Sequence, residues 1–176
     1  MPHPMQDIQV VNEPCYTFGS TDNATAYPVK MNLSHPDSPI SVHGIIIDGN
    51  PTAVFGSSAG ASGVHAKSLL VTDGRGYLAV GNHIACFRLP TFSYLWSLVV
   101  DPATCFGIYY SPGHKALISH GELEISCFTE GGEIIWSTSG ADIFTGPLEL
   151  TPNAIEVTDF EGRAYRFAYD DGRILS

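Results

Sequence analysis

The stretch "ALISHGELEISCFTEGGEIIWS", Ala116 to Ser137, decides the fold because it comes round again. Laid over "YLAVGNHIACFRLPTFSYLWS" (77–97) and "AIEVTDFEGRAYRFAYDDGRILS" (154–176), it keeps its landmarks with few shifts. Trp96 stands 40 residues before Trp136, Phe87 stands 41 before Phe128, Phe128 stands 39 before Phe167, and Gly132 stands 40 before Gly172. Each unit reads as a strand, a short turn, a second strand, a loop with Gly or Asp, a third strand ending in Cys-Phe or Arg-Phe, a tight turn and a fourth strand. A period of about forty with four strands per unit marks a chain of look-alike sheets.

Outward from that stretch the reading stays all-β. Pro (12) and Gly (18) interrupt the chain too often for apolar residues to recur with helical spacing. Strands rich in β-branched and aromatic residues are expected at 8–11, 44–47, 52–55, 68–71, 77–80, 84–89, 94–100, 106–110, 116–119, 123–128, 133–137, 148–150, 154–157, 164–169 and 173–175. Clusters such as Asp48-Gly49-Asn50-Pro51, Asp73-Gly74, Ser111-Pro112-Gly113, Gly131-Gly132 and Asp171-Gly172 supply the positive φ of tight hairpins, so neighbouring strands should pair antiparallel. A shortened copy sets residues 45–56 over 69–81, with its third and fourth strands missing; residues 1–40 repeat nothing.

The expected fold is one all-β domain over 1–176, with non-repeating strands and loops in 1–66 and three blade-like repeats in 67–176. Its repeated four-stranded antiparallel sheets are propeller-like, or form an open stacked sheet or sandwich. An incomplete set of blades leaves unpaired edges that invite another strand. Three arrangements answer this. The first 66 residues cover the edge, two chains close a ring together, or the N-terminal part completes a small four-bladed propeller. The first is favoured, because 8–11 and the proline-bounded stretch 28–51 supply strands without a blade's spacing.

Composition narrows the function classes. The 176 residues suffice to bury roughly two thirds of the unfolded surface. A net charge of −10, from 18 acids against 8 bases, repels nucleic acid and anionic membrane surfaces and steers a basic protein inward. No segment is long and apolar enough to cross a bilayer, and the first residues show no secretory pattern, so a cytoplasmic location is expected. Cys15, Cys86, Cys105 and Cys127 each precede Tyr or Phe and are expected as free thiols, small buried hydrophobes in strands. Trp96 and Trp136, recurring in register, are expected to pack between neighbouring sheets.

The repeats, through Gly162, Tyr165, Asp171 and Gly172 in the last copy and Gly121, Gly132 and Trp136 in the one before, resemble the blades of PQQ-like, or quinoprotein-type, β-propellers over about residues 68–176. The resemblance implies architecture. Enzymes of that family close about seven or eight blades around a quinone and a metal, whereas this chain offers three copies and part of a fourth. It also lacks the adjacent cysteines that cover a quinone. No catalytic residue carries over, no cofactor is expected, and the family's non-catalytic members are binding scaffolds.

Three constellations bear on chemistry. Gly56-Ser57-Ser58-Ala59-Gly60 fits the G-x-S-x-G pattern, which needs a buried strand before Ser58 and a helix after it. "AGASGVHAK" offers no helix, so Ser58 with the nearby His65 is a weak catalytic candidate and the segment reads as a small-residue loop. The seven histidines show no finger-like pairing, and no metal site is expected. Glu122 and Glu124, alternating with Leu123 and Ile125, are expected on one strand face, and with Glu156, Asp159 and Glu161 form an acidic stripe for a basic partner. The function expected is a non-enzymatic binding or interaction module, an acidic protein that neutralises a basic partner as immunity proteins do. A small serine- or carboxylate-dependent hydrolase and a structural subunit that dimerises through its open sheet edge are the alternatives.

Overall fold

The computed structural model describes residues 6–176, and among them no helix forms. Fifteen strands make four sheets. Sheet I contains β1 (Ile8–Asn12), β2 (Val29–Asn32), β3 (Ser41–Ile47) and β4 (Asn50–Ser57) in the order β1-β3-β4-β2, with β2 parallel to β4. Sheet II is the meander β5 (Leu69–Thr72), β6 (Arg75–Val80), β7 (His83–Arg88) and β8 (Ser93–Val99). Sheet III repeats it with β9 (Cys105–Ser111), β10 (Ala116–Gly121), β11 (Glu124–Phe128) and β12 (Ile134–Ser139). Sheet IV contains β13 (Leu148–Leu150), β14 (Ile155–Thr158) and β15 (Ala164–Phe167).

The sheets stack face to face in chain order because their strands alternate. On β3 and β4, Ile45, Ile47, Ala53 and Phe55 turn to sheet II and pack on Leu78, Val80, Ala85 and Phe87. Val42 and Val54 turn the other way, where Tyr16, Phe18 and Tyr27 cover them. A second core joins sheets II and III through Tyr77, Ile84, Ile108 and Phe128, and a third joins III and IV through Ile118, Trp136, Phe144 and Phe167. No hydrogen bond or core cluster among the described residues joins sheet I to sheet IV. The stack is therefore an open arc of four sheets.

The two tryptophans occupy equivalent joints. Trp96 on β8 donates its indole N–H to the Glu130 carbonyl at 2.9 Å, and Trp136 on β12 donates to the Tyr169 carbonyl at 2.9 Å. Each ring lies on a glycine of the next sheet's turn, Gly132 under Trp96 and Gly172 under Trp136; both have positive φ, and a Cβ at either would run into the indole. The forty-residue period is thus the spacing of one docking device.

Three expectations are corrected. Beside the strands expected at 8–11, 44–47 and 52–55, sheet I contains one that local pattern did not mark, β2, which pairs parallel with a strand some twenty residues on. The last repeat is three-stranded: in place of a strand at 173–175 there is a single bridge, Phe167 to Ile174, with two flanking backbone bonds. Cys15 is exposed in a turn after β1, whereas Cys86, Cys105 and Cys127 are buried, and burial pushes the Cys105 thiol up to about 12.

Candidate functional site

The strands that open sheets II, III and IV, β5, β9 and β13, are each an end strand of their sheet, and together they wall a groove of about 830 Å³. Leu70, Val71 and Thr72 form one wall, Ile108, Tyr109 and Tyr110 the middle, and Leu148, Glu149 and Leu150 the other wall. The loop before β5 is tied to the middle wall by the Ile108 N–H, which donates to the Lys67 carbonyl at 3.0 Å. Gly107 permits that approach, since a Cβ there would stand 2.7 Å from the Lys67 side chain. The Lys67 ammonium then lies over the Tyr109 ring, 4.8 Å from its centroid.

Two side cavities continue the groove. One, of about 550 Å³, shares Tyr110 and Leu150 and includes His114, which stacks on Tyr169 with centroids 3.8 Å apart and donates from Nε2 to the Pro152 carbonyl at 2.8 Å. The other, of about 380 Å³, shares Tyr109 and Pro147 and is lined by His65, Phe106, His120 and Thr145. Burial holds the His120 pKa down to about 4, with its contact to the Phe144 carbonyl pulling the other way and His65 adding to the drop. The ring is neutral at physiological pH.

The candidate catalytic pair does not assemble. Ser58 follows β4, its backbone N–H bound by Ser34 Oγ at 2.9 Å, and a loop without helix runs on from it. His65 is exposed and its Nδ1 accepts from the Lys67 N–H. The serine that does meet a histidine is Ser57, whose Oγ lies 3.0 Å from His83 Nδ1 and 3.3 Å from Asn82 Oδ1. Ser57 is wholly buried, so no substrate reaches its Oγ, and burial lowers the His83 pKa. This trio seals the joint between sheets I and II.

The candidate acidic residues are dispersed. Glu122 lies in the turn before β11, its backbone bonded to Thr104 and Phe144, while Glu124 opens the strand and accepts from Ser137 Oγ at 2.6 Å. The expected shared strand face is absent because the hairpin turn claims Glu122. Asp159 is buried at 3% exposure. Burial raises its pKa, but the Arg163 N–H, the Tyr165 hydroxyl and the Arg163 guanidinium outweigh that and leave it below the usual range. Glu161 is exposed at that hairpin's tip. Glu156, on the outer face of sheet IV, pairs with Arg166 at 3.2 Å and lies across from Glu149.

Sequence reasoning missed the buried carboxylate of Asp101. Its Oδ1 accepts from the Ala103 and Thr104 N–H groups and its Oδ2 from those of Leu123 and Glu124, at 2.7–3.0 Å. It staples the sheet II to III link to the β10–β11 turn; burial nevertheless keeps its pKa raised. Asp101-Pro102 after a strand is a turn signal, but the distant half of the staple leaves no local trace.

The fold and the groove define a propeller-like all-β protein of repeated sheets. No protein-family model and no curated protein matches the sequence. Among solved structures the chain is similar to the computationally designed Ika4 protein (12% identity, TM-score 0.54, 65% of this chain and 76% of that one) and to the computationally designed Ika8 protein (13%, 0.56, 77% and 45%). It is also similar to BamB from Moraxella catarrhalis, a PQQ-like β-propeller protein (14%, 0.54, 84% and 48%). The chain spans just under half the length of the last two. At these identities the likeness concerns the fold.

Proposed function

We propose that this chain is a non-enzymatic binding module that takes a basic, extended polypeptide segment along the groove beside β5, β9 and β13. The observation that carries it is the groove itself, about 830 Å³ and edged by three end strands that pair with no further strand among the described residues, the Ile108 N–H alone being taken up by the Lys67 carbonyl of the adjoining loop. Such edges hold extended chains by main-chain hydrogen bonds, with side-chain pockets adding selectivity. Charge supports a basic occupant. All four ion pairs among the described residues lie in sheet IV and the segment after it, so the acidic excess of sheets I to III has no cation in contact; on the groove wall itself Glu149 and Lys67 balance, and the attraction comes from the surrounding surface. Glu122, Glu124, Glu156 and Glu161 then act in steering rather than as one contact face.

Peptides of equal length and graded net charge, titrated against the immobilised chain, test this. Binding is expected to rise with positive charge, to weaken with salt, and to fall about tenfold in Val71→Arg, a 48% exposed position on the groove wall. Equal binding of acidic and basic peptides, or indifference to Val71→Arg, refutes it.

A second reading, that two copies close one ring, is favoured by the share of Ika8 and BamB that one copy spans. Against it stands the outer face of sheet IV, where Glu149, Glu156 and Arg166 form a polar row with little apolar area to bury. Light scattering over a concentration series decides: a dimer supports the ring, a strict monomer removes it.

A further inference from the structure

Where the groove passes Tyr109 and Pro147 it opens into the side cavity of about 380 Å³ that His120 lines. His120 is only 6% exposed, and its Nε2 lies 3.3 Å from the Phe144 carbonyl. A carbonyl only accepts, so Nε2 carries the ring proton and Nδ1 is left as an acceptor. Nδ1 has no hydrogen-bond partner among the described residues. Nor is it sealed off, since the one wholly buried, unpartnered side-chain polar atom among them is the Tyr77 hydroxyl. A buried, cavity-lining ring therefore keeps one acceptor nitrogen with no partner in the described protein.

The walls say what sort of donor fits. Phe106 meets the His120 ring edge to face, centroids 5.4 Å apart at 79°, and Tyr109 lies 6.4 Å away at 53°. Such rings favour another aromatic ring in offset or edge contact. The volume is at the low end of the range for small-ligand sites, room for one ring system rather than a hydroxyl alone.

We propose that this cavity binds a planar aromatic group with an N–H donor, the indole of a tryptophan in the polypeptide that the groove takes, with its N–H given to His120 Nδ1. Only the attachment to a polypeptide rests on the groove reading; the ring site stands on its own geometry. It places a neutral aromatic anchor beside a path for basic residues.

The probes are N-acetyl-tryptophanamide and its 1-methylindole analogue, followed by NMR on the Phe106, Tyr109 and His120 ring signals. The parent compound is expected to bind about tenfold more tightly than the analogue. His120→Phe keeps the ring and should erase that difference. Thr145→Trp, at an exposed rim position, should block both probes and serves if His120→Phe fails to fold. Equal binding of the two probes, no binding of either, or undiminished binding in Thr145→Trp overturns the proposal. Binding of the free amide without binding of basic peptides refutes the groove reading and leaves this site standing; the reverse refutes this site alone.

Discussion

The joints between sheets II and III and between III and IV are closed by the same part, an indole on the outer strand seated on a glycine and bonded to a carbonyl of the next sheet. The joint between sheets I and II is closed by other means. Gln6 Nε2 donates to the Pro90 carbonyl at 2.9 Å where an indole would stand. Further in, His43 lies between the Ala79 and Ser62 carbonyls, 3.2 Å from each, its one ring N–H serving one of them, and Ser57 meets His83. The contrast teaches that stacking of sheets asks only for complementary faces and satisfied polar groups. A repeated apolar plug and a one-off polar network both meet that demand, but they respond to different insults.

The largest expected effect falls on the plug. Trp136→Ala removes a buried ring and its hydrogen bond and should cost about 3–5 kcal/mol in urea unfolding, with Trp96→Ala, at the more exposed indole, costing less. Equal losses in the two would break the idea that burial grades the joints.

Acid should act elsewhere. His43 and His83 have pKa values lowered mainly by burial, as has His120 at the joint of sheets III and IV. A folded pKa below the unfolded 6.5 means the unfolded chain binds more protons between them, so stability is full above pH 6.5 and declines as pH falls toward about 4. For His120 the loss reaches roughly 3 kcal/mol, since each tenfold drop in proton affinity on folding is worth about 1.4 kcal/mol. Among the described residues the core joining sheets II and III is apolar, so hydrogen exchange should show protection falling first around His43, His83 and His120 and last at Tyr77, Ile108 and Phe128 as pH drops. Simultaneous loss in all sheets would show that the joints do not open independently.

The smallest effect belongs to Gln6→Ala. It deletes one partly exposed hydrogen bond and should cost about 0.5–1 kcal/mol by thermal melting. A loss as large as that of a tryptophan would make Gln6 a true counterpart of the indoles.

Much of the fold was open to inspection in the chain. Fourteen strands lie where β-branched and aromatic runs between turn residues put them, and the repeat of Trp, Phe and Gly foretold the stacking of sheets II to IV. Sheet I was harder, because its order β1-β3-β4-β2 joins strands that local pattern does not link. The candidate site was harder still. Ser57 and Ser58 are alike in sequence, but strand parity continues from Phe55 to Ser57 and turns that side chain toward His83, leaving Ser58 in the loop. Asp159 looks like a surface acid until its hairpin draws it in with Arg163 and Tyr165.

What the amino-acid order settled alone is a chain of antiparallel sheets with an aromatic plug every forty residues or so, since alternation, turn chemistry and repetition are local and carry their own geometry. Which edges stay open, that three end strands face one groove, and that a buried histidine lines its side cavity were decided by the stacking. These depend on how distant sheets pack and on which backbone groups their packing leaves unpaired.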